Sequence, residues 1–329
     1  MDIPSWINRL DARIRGIYEQ KATMSFLKPK DDGRDSGLVS AEEDAEEVLQ
    51  DPEGYYTIGI PFEWFFRYHK AYFVHCTLND ETACARDRFI QTAAYAYLYL
   101  FSEYRLRKIA ITSIQMDSLS YFLSFPLTAG WEPEVRQVTG WVMDDLLRDD
   151  DEQMRFVERI GVGTWQMTWF LYRILADHYG YDLEDRYYPT LAESPPVEWP
   201  HYQETIAHWD SEDLTWVDKQ VSILCDILVL DNAAGEGPGD PVYETIARGP
   251  SLYPDHVLAW LRLRALKGLK NPERYSHPIM NMPLASTPLN FELPLPYPEQ
   301  VAYAPELLAK LREQVPEAPL PEWVGTRKN

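Results

Sequence analysis

Apolar residues recur at helical spacing on both sides of a run of acids, and that pattern restricts the middle of this chain to helices. Val135, Val138, Val142, Met143 and Leu146 fall on one face, and Pro133 suits the first turn of the helix that carries them. The acidic run follows in Asp144, Asp145, Asp149, Asp150, Asp151 and Glu152. Met154, Phe156, Val157 and Ile160 then predict a short second helix. Its first turn would hold Asp150, Asp151 and Glu152, where the positive end of the helix dipole favours anions. Gly161 and Gly163 break the pattern. Thr164 can cap a third helix, in which Trp165, Trp169, Tyr172, Leu175 and Tyr179 form a stripe ending at Gly180. The acids are therefore expected to face water at a corner between helices, over an aromatic core.

The same period runs through most of the chain. Trp6, Ile7, Leu10, Ile14 and Ile17 make a first stripe. From Asp31 to Glu53 there are ten acids against the single base Arg34, and large apolar residues are scarce before Val48 and Leu49. That composition predicts a mobile, solvated linker with a short helix near Ala41 to Leu49. Pro61 can start a helix carrying Phe62 to Val74, Asn79-Asp80-Glu81 reads as a turn, and Thr82 to Phe125 is helical and apolar on several faces, as in a core helix. The latter stretch is too long for one ordinary helix, which places a break near Arg105 to Lys108. Beyond a proline-rich connector, Tyr202 to Trp209 forms a short helix. Asp210 or Ser211 would cap the next, with Leu214, Val217, Val221, Leu224 and Leu228 inward. Asp231 to Pro241 is a loop, Val242 to Ala247 a helical turn, and Pro254 starts a helix through Leu269.

The segment from Asn271 to Asn329 holds eleven of the twenty-five prolines. Such a segment must run extended. Its Ile279, Met280, Leu284, Leu289, Phe291 and Leu295 need burial, so it reads as a strap across the helical body rather than as a free PxxP ligand. Pro305 to Val315 is one last helix. The expected architecture is all-α: antiparallel helix pairs in an irregular bundle, with a Pro-rich extended C-terminal strap. Three regions follow: an N-terminal helix and acidic loop at 1–54, a helical core at 55–270 and the strap at 271–329. No fixed-period repeat supports a solenoid.

Charge narrows the partners. Lys and Arg total 31 against 52 Asp and Glu, a formal net charge of −21. Phosphate backbones and anionic lipid would be repelled, so neither nucleic acid nor a membrane is an expected partner, whereas a basic protein is complementary. No uncharged run reaches the length of a membrane span, and Met1 to Tyr18 lacks the continuous apolar core of a signal peptide. Cys76, Cys84 and Cys225 show no CxxC spacing, which suits reduced thiols in a bacterial-type cytoplasm.

Candidate chemistry is sparse. Glu204 and His208 share a helix face, with His201 a turn earlier, but no further metal ligand accompanies them. Asp177-His178 reads as a helix end. No nucleophile elbow is present, and the loop Gly235-Glu236-Gly237-Pro238-Gly239 has neither a preceding strand nor a lysine. No catalytic residue, metal or cofactor is assigned on these patterns.

Two resemblances bear on function. Asp144, Asp145 and Asp149 resemble the aspartate-rich motif of class I terpene synthases, and Arg274-Tyr275 looks like the arginine-tyrosine pair near the C-terminus of those enzymes. That resemblance implies magnesium holding a diphosphate. The family's second metal motif is missing, since Cys225-Asp226-Ile227-Leu228-Val229 does not supply it. The chain as a whole looks like the acidic, cytoplasmic, all-helical immunity proteins that bacteria pair with secreted toxins, including type VI secretion effectors. What carries the likeness is helix pairs with Trp-rich faces, acidic corners such as Asp149-Asp150-Asp151-Glu152, and the proline-rich end beginning His277-Pro278-Ile279-Met280-Asn281. It implies a toxin inhibitor without catalysis, docking through Asp144, Asp145, Asp149, Asp150, Asp151 and Glu152.

Overall fold

The computed structural model describes residue 27 and residues 33–107, 109, 114–146, 157–158, 166–181, 200–234, 253–316 and 320–324. The fold is all-α. Among the described residues the helices are α1 (Ser36–Gln50), α2 (Gly59–Leu78), α3 (Thr82–Leu106), α4 (Met116–Thr128), α5 (Glu132–Leu146), α6 (Gln166–Tyr179), α7 (Pro200–Ala207), α8 (Leu214–Ala234), α9 (Asp255–Leu266), α10 (Pro283–Leu289) and α11 (Ala304–Gln314). None of them is long and apolar enough to cross a membrane.

The α2–α3 hairpin is the centre. Helix α2 buries Phe62, Phe65, Phe66, Phe73 and Val74, and α3 buries residues around most of its circumference, as a core helix must. Ala93, Ala94 and Ala96 of α3 are all fully buried, and such short side chains let neighbouring helices approach closely. Rings then knit the surrounding elements together. Phe89 of α3 meets Phe73 of α2 at 5.1 Å, Phe125 of α4 at 5.9 Å and Phe291 after α10 at 5.6 Å, in tilted or edge-on contacts typical of aromatic pairs. The expected break appears where α3 ends at Leu106.

At the hairpin turn Asp80 adopts the left-handed conformation with φ 58°, and the Glu81 N–H donates to the Cys76 carbonyl at 2.9 Å. A disulfide joins Cys76 to Cys84 across this turn, while Cys225 is free and buried. The expectation of three reduced thiols is thereby corrected: the hairpin brings two cysteines eight positions apart to a Cα separation of 5.8 Å, inside the range a disulfide spans.

The stripe on α5 is inward as expected, with Val135, Val138, Val142 and Met143 fully buried. The aromatic stripe on α6 ends at Gly180, whose φ of 74° is the conformation that favours glycine after a helix. Four local expectations are revised. Val157 does not continue a helix: Val157–Glu158 pairs in parallel with Ile114–Gln115 in a two-residue ladder. Helix α8 is capped by Asp213, whose Oδ1 accepts from the N–H of Thr215 at 2.9 Å, rather than by Asp210 or Ser211. It also runs on to Ala234, into the predicted loop. The acidic segment before Tyr55 is no solvated linker. Helix α1 fills Ser36–Gln50 and buries Ala41, Ala45 and Val48 on the common core, because these three small apolar residues recur on one face while most of the acids take the other.

The C-terminal segment is the strap, with helix α10 and a 3₁₀ turn at Pro278–Asn281 set into it. Both helical pieces begin with proline in the first turn, where its missing N–H costs nothing. Past them the extended part crosses the α4–α5 corner. There the Leu295 N–H donates to the Ala129 carbonyl at 2.9 Å and the Trp131 indole N–H donates to the Leu295 carbonyl at 2.8 Å. Gly130 takes φ 77° at this crossing, and a Cβ on it would lie 3.3 Å from Pro294. Glycine thus serves both the turn and the close approach of the strap.

Candidate functional site

A cavity of about 1040 Å³ opens where the strap passes over α1, α2 and α3. Helix α1 contributes Leu38 and Glu42, α2 contributes Phe65, Tyr68 and His69, and α3 contributes Arg88, Gln91 and Tyr95. Residues 297–303, with Trp323 and Val324, form the opposite wall. Two bonds tie that wall to α3: the Gln91 amide donates to the Gln300 carbonyl at 2.9 Å, and the Tyr95 hydroxyl donates to the Ala302 carbonyl at 3.2 Å.

The floor is fixed by aromatic and polar contacts together. The His69 ring stacks on Tyr95 with centroids 5.2 Å apart and planes at 10°. Its Nδ1 lies 3.2 Å from Arg88 Nη1. Arginine only donates, so Nδ1 is the acceptor and the ring proton sits on Nε2. Burial, reinforced by the Arg88 charge, pushes His69 down to about 3, so it is neutral at physiological pH. The Arg88 guanidinium lies over the Tyr72 ring at 4.1 Å, and the Tyr68 hydroxyl donates to Asp35 at 3.1 Å. Tyr303 enters α11 in the left-handed conformation with φ 60°. In that pose its ring stacks on Phe65 at 5.9 Å and its hydroxyl donates to Glu46 at 3.2 Å.

The rim is acidic. Glu42 bonds Arg34 at 2.6 Å, and Glu299 and Glu306 stand on the strap side. On the flank of α1 a second, open hollow of about 500 Å³ is lined by Glu43, Glu46, Glu47, Gln50 and Asp51. The crowding is felt by Asp44, whose carboxyl is raised above its ordinary value by burial first and by Glu47 and Glu43 next. Aromatic faces ringed by carboxylates are a setting that takes up a cation, by ring quadrupole and by charge. Among the described residues the cavity lining contains no serine, threonine, cysteine or lysine, and its one histidine there is committed to Arg88.

The residues singled out from the sequence fall elsewhere. Asp144 is exposed near the end of α5, and Asp145 lies in the same last turn. Asp149, Asp150, Asp151 and Glu152 lie outside the described residues. Arg274 is exposed, while Tyr275 is half-buried with its hydroxyl raised by burial beside Arg262 and Arg264; neither lines the cavity. Glu204 and His208 both attend Trp216, Glu204 as acceptor of its indole N–H at 3.4 Å and His208 edge-on at 6.0 Å. Asp177, read as part of a helix end, accepts the Trp209 indole N–H at 2.7 Å.

Sequence reasoning missed the cavity. The aromatic density around Tyr68 was visible, but the meeting of His69 with Arg88 depends on the register of the α2–α3 hairpin, and the far wall arrives from more than two hundred positions away. No protein-family model, curated protein or solved structure matches this chain.

Proposed function

We infer that this chain is an immunity or inhibitor protein that binds and neutralises a cognate, basic-surfaced bacterial toxin in the cytoplasm, without catalysis. The observation that carries the reading is the ordered acidic face of α1 beside an aromatic cavity with a carboxylate rim. A rigid helix holds Glu43, Glu46 and Glu47 exposed on one side, so a partner meets a preformed negative field at little ordering cost. The cavity next to it offers the partly exposed Tyr303 and Trp323 to an inserted Arg or Lys, the kind of anchor that dominates interface energetics. The net charge of −21 supports the same polarity over the whole surface. Asp144 extends it at the end of α5, with Asp145, Asp149, Asp150, Asp151 and Glu152 assigned to the same docking role from the sequence.

The test co-expresses the chain with the product of the adjacent gene and scores survival, then measures binding. Glu43→Gln with Glu47→Gln removes charge while keeping good helix formers. Association should slow several-fold at low salt with little change in dissociation, because rim charges steer encounter and exposed charges are screened beyond about 10 Å at 0.1 M salt. A folded protein that neither binds nor protects removes the reading. Turnover of a prenyl diphosphate with magnesium would replace it with the terpene synthase-like alternative built on Asp144, Asp145 and Asp149.

A further inference from the structure

We propose that Cys76, Glu81 and Cys84 form a redox-gated site for a thiophilic divalent cation such as zinc, closed while the two sulfurs are bonded and opened by a dithiol reductant. The three side chains converge from the α2–α3 turn. Cys76 stands in the last turn of α2, Glu81 directly precedes α3, and Cys84 lies in its first turn. Both Sγ atoms and a Glu81 carboxylate oxygen lie within 4.8 Å of one another. A tetrahedral zinc ion with bonds of about 2.3 Å to sulfur and about 2.1 Å to oxygen needs its ligand atoms roughly 3.5–3.8 Å apart, which is inside that span.

The backbone holds the ligands in place whatever the state of the sulfurs. Within the turn the Glu81 N–H donates to the Cys76 carbonyl at 2.9 Å, and the Ala85 N–H donates to the Glu81 carbonyl at 2.8 Å. Opening the disulfide therefore asks only the sulfurs to separate, while the 5.8 Å between the two Cα atoms stays set by the helices. Access is graded: Cys76 is fully buried, Cys84 half-buried and Glu81 exposed, so an ion enters from the Glu81 side and keeps water as its fourth ligand. The strongly negative chain draws cations.

The chemistry balances in two steps. A dithiol reductant gives two electrons and two protons to the S–S bond, leaving two thiols here and a disulfide on the reductant. The dication then forms two metal–thiolate bonds and one bond to the Glu81 oxygen, and the two thiol protons pass to water. Reoxidation by an external disulfide reverses both steps and expels the ion. Cys225 takes no part: it is fully buried, and burial pushes its thiol well above the usual thiol range.

Cobalt(II), as a spectroscopic stand-in for zinc, tests this on the full chain. Protein reduced with a phosphine should develop thiolate-to-cobalt absorption that saturates at one equivalent and is bleached by zinc. The oxidised protein should develop none. Cys225→Ser should keep the signal, Cys84→Ser should lose it, and Glu81→Gln should weaken binding tenfold or more. Reduced protein that keeps its helical circular dichroism yet shows no such band overturns the proposal. So does a band that survives Cys84→Ser, or one already present in the oxidised chain.

Discussion

Glu103, in α3, is a carboxylate largely withdrawn from water. A Cβ built on Gly59 would lie 2.0 Å from its Oε1, so a larger residue at 59 would push the Glu103 carboxylate aside. Burial, with Glu63 nearby, pushes the Glu103 carboxyl from 4.5 up to about 7. A raised carboxyl binds its proton more tightly in the folded chain than in the unfolded one. Its contribution to stability is then fully present below 4.5 and is lost as pH rises through about 7. Glu103→Gln keeps the shape and removes the titration. The variant's melting temperature should change less between pH 5 and pH 8, and at pH 8 it should exceed the parent's by a few degrees, on the order of 1–2 kcal/mol. Thermal unfolding across that range checks it; a parent that gains stability relative to the variant as pH rises would show the sign to be wrong.

Among the elements, the strap is held at one corner. Trp131 is 1% exposed, donates to the Leu295 carbonyl and packs on Tyr297 at 4.9 Å and Trp323 at 5.9 Å. Trp131→Phe deletes the donor and leaves that carbonyl buried without it, which costs about 1–3 kcal/mol before any loss of packing. Tyr297→Phe, at a position 37% exposed, should cost well under half as much. Urea midpoints measure both, and equal effects would mean that the strap is not pinned at Trp131. The strap as a class was legible from the prolines and the apolar residues between them. Helix α10 was not: Pro283 and Pro288 look like breakers, yet one sits in the first turn and the other near the end, where seven residues still close helical bonds. For helix α1 the sequence marked a short helix near Ala41 to Leu49 but not its docking, for the opposite reason. Its ten-to-one acidic surroundings outweigh, in a composition average, the three apolar positions that dock it.

At the scale of the whole molecule, 52 acids against 31 bases strain the compact state by self-repulsion. Raising sodium chloride from about 10 mM to about 300 mM shortens the screening length from roughly 30 Å to under 8 Å and should raise the melting temperature by several degrees. Calorimetry at fixed pH reads this directly, and a flat or falling melting temperature would mean that the charges are already paired. The same screening that steadies the free protein should weaken its encounter with a basic partner, so salt is expected to move stability and association in opposite directions.

The sequence by itself determined that this chain is helical, acidic and strapped at its C-terminal end. Each of those is local or additive: a 3.6-residue period on α5 or α6, a sum of charges, a density of prolines. Only the tertiary structure decided which side chains meet. It set Arg88 against His69, joined Cys76 to Cys84, and laid residues 297–303 over α1, α2 and α3 to enclose the cavity. Such meetings depend on the register of one hairpin and on docking over long chain separations. Helical periodicity carries no record of either, because it states which face turns inward and not which partner that face will find.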